Sequence, residues 1–164
     1  MGVYKGIAQD NVTITSGNAA LQTLTVTGAV SLTGTVSITG MVQNVRQRFT
    51  VAQVNAGATI VPAVTGKSIR MVNCKAIAIG GAATTVTTVD IIGTATTPRK
   101  LVALAQASLT QSTVLTAGGT GAAVLADGAS FTANDAGTAV TIGKTGGDVA
   151  TATHIDVVFD YVLV

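Results

Sequence analysis

Side chains capable of catalytic chemistry are scarce in this chain. It contains one histidine, one cysteine, seven aspartates and no glutamate among 164 residues. Enzymatic acid–base or nucleophilic catalysis needs groups that titrate or attack, held close together. His154 and Asp156 lie two residues apart on a predicted strand, so they share one face and could supply two ligands to a metal. The rest of a metal motif is missing. We therefore expect no metal or other cofactor, and a solvated or interface histidine hydrogen-bonded by Asp156.

Three other patterns that could carry chemistry fail on spacing or context. Gly143-Lys144-Thr145 resembles the end of a phosphate-binding P-loop, but five residues separate Gly137 from Gly143 where the motif has four. Gly146-Gly147 follows, which predicts a hairpin turn in place of the helix that would bind phosphate. No Gly-x-Ser-x-Gly nucleophile motif occurs. Cys74 is alone and is predicted to be a small buried strand residue. The sequence thus predicts a protein that is not an enzyme.

Composition excludes several other classes. The chain is 48% hydrophobic and 10% charged with a formal net charge of +2, whereas charge-driven disorder requires low hydrophobicity and high net charge. Its apolar runs are far shorter than the roughly 20 residues that a membrane helix needs. With 3% aromatic residues and no basic stripe, it lacks the features that bind nucleic acid. Abundant Thr, Val and Gly predict an all-β protein. From the short apolar runs and the lack of basic and aromatic features, no membrane or nucleic-acid partner is expected.

A six-residue repeat dominates residues 21–44. Copies begin at Thr27, Thr33 and Thr39, and each alternates apolar and polar residues before turning on glycine, as strands do. Because one copy of this strip is too narrow to bury its own apolar face, we predict a short β-stem that associates around a threefold axis. The alternative is two hairpins of the main domain. The residues expected at the trimer interface are Leu24, Val26, Val30, Leu32, Val36, Ile38 and Val42.

Residues 1–20 form a separate, polar and glycine-rich segment with short apolar patches. We predict that this N-terminal arm becomes a strand by pairing with an exposed sheet edge of a partner. No secretory signal precedes it, so synthesis in a cytoplasm is expected. The residues expected to make the arm's contacts are Val3, Tyr4, Ile7, Val12 and Ile14.

Residues 45–164 are predicted to fold as the head domain. Arg46 and Arg48, at the junction of stem and head, are the densest basic spot and could contact an acidic partner surface; a solvated strand face is the alternative. Alternation of apolar residues from Ile155 to Leu163 predicts the last strand, and the spacing of Leu101–Leu109 also allows a short helix. Together these signals predict an antiparallel, jelly-roll-like β-sandwich of eight strands, near 46–54, 68–79, 84–92, 99–106, 108–115, 122–126, 138–143 and 153–163.

Four segments of the head domain, residues 48–60, 76–80, 124–131 and 152–157, resemble the body of tailed-bacteriophage head-decoration and head-fibre proteins. The resemblance implies a homotrimer on the outer face of a capsid, with a β-sandwich head and an N-terminal segment that contacts the major capsid protein. It therefore also implies a place in the virion. No family motif assigns individual contact residues. A protein of this kind needs only to bind and persist, and three linked weak contacts can bind tightly.

Two other functions remain open from the sequence. A phage tail-fibre or receptor-binding tip would share the trimeric stem, although sugar-binding tips usually present aromatic platforms and this chain has few aromatic residues. A small trimeric jelly-roll hydrolase is disfavoured by the scarcity of catalytic groups. The aromatic residues are Tyr4, Phe49, Phe131, Phe159 and Tyr161.

Overall fold

The computed structural model describes residues 40–93, 99–117, 124–125 and 134–164. All of these lie within the compact unit Val36–Val164. The predicted arm and every predicted stem-interface residue except Val42 lie outside the described residues. The boundaries proposed for the arm and the stem therefore stay predictions.

Nine strands in the described ranges form two antiparallel sheets. In spatial order, the first sheet contains β1 (Gln43–Thr50), β9 (His154–Leu163), β3 (Ile69–Ile79) and β6 (Leu115–Thr116). The second sheet contains, also in spatial order, β2 (Thr59–Val61), β8 (Val140–Thr151), β4 (Ala83–Gly93), β5 (Arg99–Ala105) and β7 (Val124–Leu125).

The strand order is that of a jelly roll. With the two-residue β7 set aside, eight strands remain, four in each sheet, and the chain passes repeatedly between the sheets as in paired Greek keys. The predicted eight-stranded, jelly-roll-like β-sandwich is confirmed.

The alternation of buried and half-buried residues along β9 shows which face of the first sheet lies against the core. Every second residue from Ile155 to Leu163 is buried, as the sequence pattern predicts. Small residues of β3 lie opposite large residues of β9: Cys74 faces Phe159 and Ala76 faces Val157. Small and large side chains therefore lie side by side on the inner face of the first sheet. Cys74 is fully buried within β3, which confirms the prediction of a buried strand cysteine, and burial raises the pKa of its thiol to about 12.

The first predicted strand is wrong beyond Thr50, where helix α1 (Val51–Ala56) begins. Thr50 and Gln53 form a capping box: the Thr50 hydroxyl accepts from the Gln53 backbone N–H at 3.2 Å, and the Gln53 side-chain Oε1 atom accepts from the Thr50 backbone N–H at 2.9 Å. Gly57 ends the helix in the left-handed region at φ 84°. The predicted strand near 108–115 is also wrong, because a 3-10 helix (Gln106–Ser108) and a loop precede β6.

The hairpin predicted at Gly146-Gly147 is wrong as well, since β8 continues through both glycines. They lie at an irregularity in the pairing with β4, where Gly146 has φ 91° and the two strands approach closely. A Cβ atom on Gly146 would lie 2.6 Å from the Thr87 hydroxyl oxygen, and one on Gly147 would lie 2.8 Å from the Thr85 carbonyl oxygen. These glycines therefore accommodate a bulge within a strand.

Candidate functional site

An open groove of about 650 Å³ lies on the outer face of the first sheet. Strand register places its side chains in two rows. Arg46, Val158 and Lys75 form one row across β1, β9 and β3, and Arg48, Asp156 and Ile77 form the next. We define the outer groove by these six residues and Val114, which lies just before β6.

Arg48 and Asp156 close one part of the groove with a bidentate ion pair. The Arg48 Nε and Nη2 atoms donate to the two Asp156 carboxylate oxygens at 2.7 Å each. The hydrogen bonds from Arg48 hold the pKa of the Asp156 carboxyl below its usual value, and the pKa of Arg48 is raised in return. Of the two arginines predicted to contact a partner, Arg48 is therefore already held by a carboxylate of its own chain.

Arg46 and Lys75 differ from Arg48. Both are exposed, and among the described residues no carboxylate forms an ion pair with either. Because neighbouring strands lie about 4.8 Å apart, their backbones are about 10 Å apart on either side of Val158. Val158, Ile77 and the exposed Val114 supply apolar surface between and beside the two cations.

Other polar side chains on β9 are already engaged. The Asn44 amide donates to the Asp160 carboxylate, and the His154 Nδ1 atom lies 3.0 Å from the Thr153 hydroxyl oxygen. The expected hydrogen bond between His154 and Asp156 is wrong, because Arg48 binds Asp156 instead. In the part of the chain that the structure describes, no three metal-ligating side chains come together.

The residues that resembled a P-loop lie within β8, with further strand after them. Lys144 pairs with Asp148 at 2.8 Å, and Thr145 belongs to a polar cluster on the outer side of the second sheet. There the Thr145 hydroxyl donates to the Asp90 carboxylate at 2.7 Å and accepts from the Lys100 ammonium at 2.7 Å. Sequence reasoning missed this cluster. The available signal was a carboxylate inside the otherwise apolar stretch Val89–Ile92.

Exposed apolar side chains collect at one end of the first sheet. Met41 and Val42, just before β1, are 60% and 61% exposed, and Val72 is 53% exposed. Val72 is the extra residue of a β-bulge in β3, next to the pairing of Met71 with Tyr161. Tyr161 also pairs with Gln43 at the start of β1. We call Met41, Val42 and Val72 the apolar end. The chain enters the head domain at this end.

Comparison of the chain with protein-family models, curated proteins and solved structures finds no match. Among the described helices, none has the length and apolar character required to span a bilayer.

Proposed function

We propose that this chain is a non-enzymatic structural protein of a tailed-bacteriophage virion. It acts as a homotrimeric decoration or head-fibre protein that binds the major capsid protein on the outer capsid surface. The observation that carries the proposal is a jelly-roll head with exposed apolar residues at the end where the predicted stem joins it. Jelly rolls are common in viral capsid proteins but also occur in lectins and cupins, so the fold alone does not assign a function.

The apolar end supports a trimer. Met41 and Val42 precede β1 and Val72 lies in β3, on the other side of β9, and burying each of these exposed side chains would stabilise an assembly by about 1.5–3 kcal/mol. Val42 is both a predicted stem-interface residue and part of the apolar end. A threefold stem at residues 21–44 would bring three copies of this end together, which would cover Met41, Val42 and Val72.

The reactive groups of the described residues support binding as the activity. The Cys74 thiol is fully buried, with a pKa of about 12, so it is not a thiolate nucleophile near neutral pH. Asp156 is bound by Arg48, and His154 lies against Thr153.

The aromatic residues favour decoration over receptor binding. Phe49, Phe159 and Tyr161 are buried in the core, where they cannot form a platform for a sugar ring. Tyr4 and Phe131 lie outside the described residues. A tail-fibre or receptor-binding tip therefore draws no support from the aromatic residues that the structure describes.

The test is binding of the purified full chain to capsids that lack it. Light scattering should give the mass of a trimer, and the trimer should co-sediment with capsids. Removal of residues 1–18 should leave a trimer with a nearly unchanged thermal transition but reduce co-sedimentation by orders of magnitude, because three linked contacts are lost together. A monomeric full chain, or a full-length trimer that fails to co-sediment, would refute the proposal. A truncated trimer that saturates capsids like the full chain would move the contact to the head.

A further inference from the structure

We propose that the outer groove binds an extended acidic segment of a protein partner. Two carboxylates of the segment pair with Arg46 and Lys75, and apolar side chains on a neighbouring edge of the segment pack beside them against the apolar surface of the groove. This inference says which chemical groups would bind the partner. It rests on the proposed function only where it takes that partner to be a capsid protein.

The charges select an acidic occupant. On the outer face of the first sheet, Arg48 neutralises Asp156, whereas Asp160 only accepts a hydrogen bond from the neutral Asn44 amide and keeps its charge. Among the described residues, no ion pair joins Asp160 to Arg46 or Lys75. Arg46 and Lys75 thus contribute two positive charges that no described carboxylate neutralises. A segment with carboxylates satisfies them and gains on-rate and specificity from the complementary charge.

The spacing selects an extended segment that crosses the strands. Arg46 and Lys75 occupy one row with Val158 between them, about 10 Å apart at the backbone. An extended chain in the polyproline II conformation rises about 3.1 Å per residue with three residues per turn. Carboxylates three positions apart therefore point to the same side at nearly the required separation.

The apolar surface distinguishes a peptide from other anions. Val158, Ile77 and Val114 lie between and beside the cations, and apolar side chains of a peptide would cover them. A nucleic-acid backbone or an anionic membrane would leave this apolar surface in contact with phosphate, and two cations are few for either ligand.

Arg48 has an indirect part in this contact. It neutralises Asp156, which lies in one of the two rows next to Arg46 and Lys75; Asp160 lies in the other. Without Arg48, the Asp156 charge would repel the carboxylates of the segment, although Arg48 itself need not touch them. Arg48 is thus a positioning residue whose loss should be corrected by removing the charge on Asp156.

The experiment is fluorescence anisotropy with the full-length protein at low salt. The probe is a labelled synthetic peptide with two aspartates three positions apart and apolar residues between them. Arg46→Gln/Lys75→Gln should weaken binding about tenfold, or ~1.4 kcal/mol. Replacing both aspartates of the peptide with asparagine should weaken it similarly. Lys67→Gln/Arg70→Gln, which removes two charges outside the groove, should change the affinity less than about twofold. Circular dichroism confirms that each variant is folded.

A second pair of variants tests the role of Arg48. Arg48→Gln should weaken peptide binding, and Arg48→Gln/Asp156→Asn should restore it. The inference is overturned if the peptide does not bind the full chain or if Arg46→Gln/Lys75→Gln binds it equally well. It is also overturned if Arg46→Gln/Lys75→Gln loses binding to RNA or anionic vesicles but keeps binding to the peptide. Capsid co-sedimentation is scored separately, so a trimer that binds capsids but not the peptide refutes only the groove inference. If the full-length protein binds the peptide but does not co-sediment with capsids, the proposed function is refuted and the groove inference is not.

Discussion

Asp90 and Lys100 form an ion pair across β4 and β5, with the Lys100 Nζ atom 3.4 Å from the Asp90 Oδ2 atom. The Asp90 side chain is fully buried, whereas that of Lys100 is 27% exposed. Thr145 bonds to both, but the Asp90 Oδ1 atom and the nearby Thr88 hydroxyl have no partner among the described residues. A buried carboxylate is costly unless it is compensated, so the fold depends on Lys100 reaching it.

The first prediction concerns this pair. Lys100→Met should destabilise the protein by about 3 kcal/mol, near the low end for breaking a buried ion pair because Lys100 is partly exposed. The double variant Lys100→Met/Asp90→Asn should recover more than half of that loss, since no uncompensated charge remains. Urea unfolding measures both. Equal stability of Lys100→Met and the unmodified protein would show that the Asp90–Lys100 pair does not stabilise the fold.

The second prediction concerns the bulge in β8. Gly146→Ala combines a left-handed backbone with a Cβ atom 2.6 Å from the Thr87 hydroxyl oxygen and 2.8 Å from its backbone nitrogen. Gly137→Ala is the matched control, because Gly137 has φ 71° but nothing within 4 Å of the added carbon. The control should cost about 1–2 kcal/mol, and Gly146→Ala should cost clearly more. Thermal unfolding compares them, and equal losses would contradict a close approach of β4 to β8.

The third prediction is a pH dependence. The pKa of Asp156 is lower in the folded protein than in the unfolded chain, because Arg48 hydrogen-bonds to the ionised form. Its stabilisation is therefore present above the unfolded pKa of about 3.9 and is lost as pH falls through the folded value. Arg48→Gln/Asp156→Asn should unfold at a lower temperature than the unmodified protein at pH 7, and the difference should shrink below about pH 4. A difference that persists at pH 2 would contradict this assignment.

The fourth prediction concerns the trimer. Val42→Asp, and separately Val36→Asp/Ile38→Asp in the predicted stem, should shift the protein from trimer to monomer on dilution, because each places charges in the proposed trimer contact. Val114→Asp is the matched control: Val114 is 55% exposed, close to the 61% of Val42, but lies in the outer groove. Sedimentation velocity across a dilution series measures the change. Dissociation by the control alone would place the interface at the groove.

Local patterns in the sequence were sufficient to predict much of the head. The period-two alternation of β9 identified both the strand and its buried face, because each second side chain must leave water. The capping box at Thr50 and Gln53 was also a local signal, but the apolar residues around it were interpreted as strand. Gly146-Gly147 was misassigned because a glycine pair serves a turn and a bulge equally well.

The outer groove could be predicted only in part. Arg46 and Arg48 are two apart on one strand, so their shared face followed from the sequence. Lys75 and Ile77 come from β3, and an irregularity between Met71 and Asn73 sets their register against β9. One extra residue changes which side chains face outward, and local sequence does not specify it. The Asp90–Lys100 pair depends in the same way on the register between β4 and β5.

Cryo-electron microscopy of virions that carry this protein tests the central claim most directly. We expect threefold density on the outer capsid surface at a local threefold or quasi-threefold axis, with three jelly-roll heads joined at their apolar ends around a stem. The N-terminal arm should contact the major capsid protein. Density for the heads at the tail tip, or a single copy without threefold partners, would contradict a trimeric capsid-decoration role.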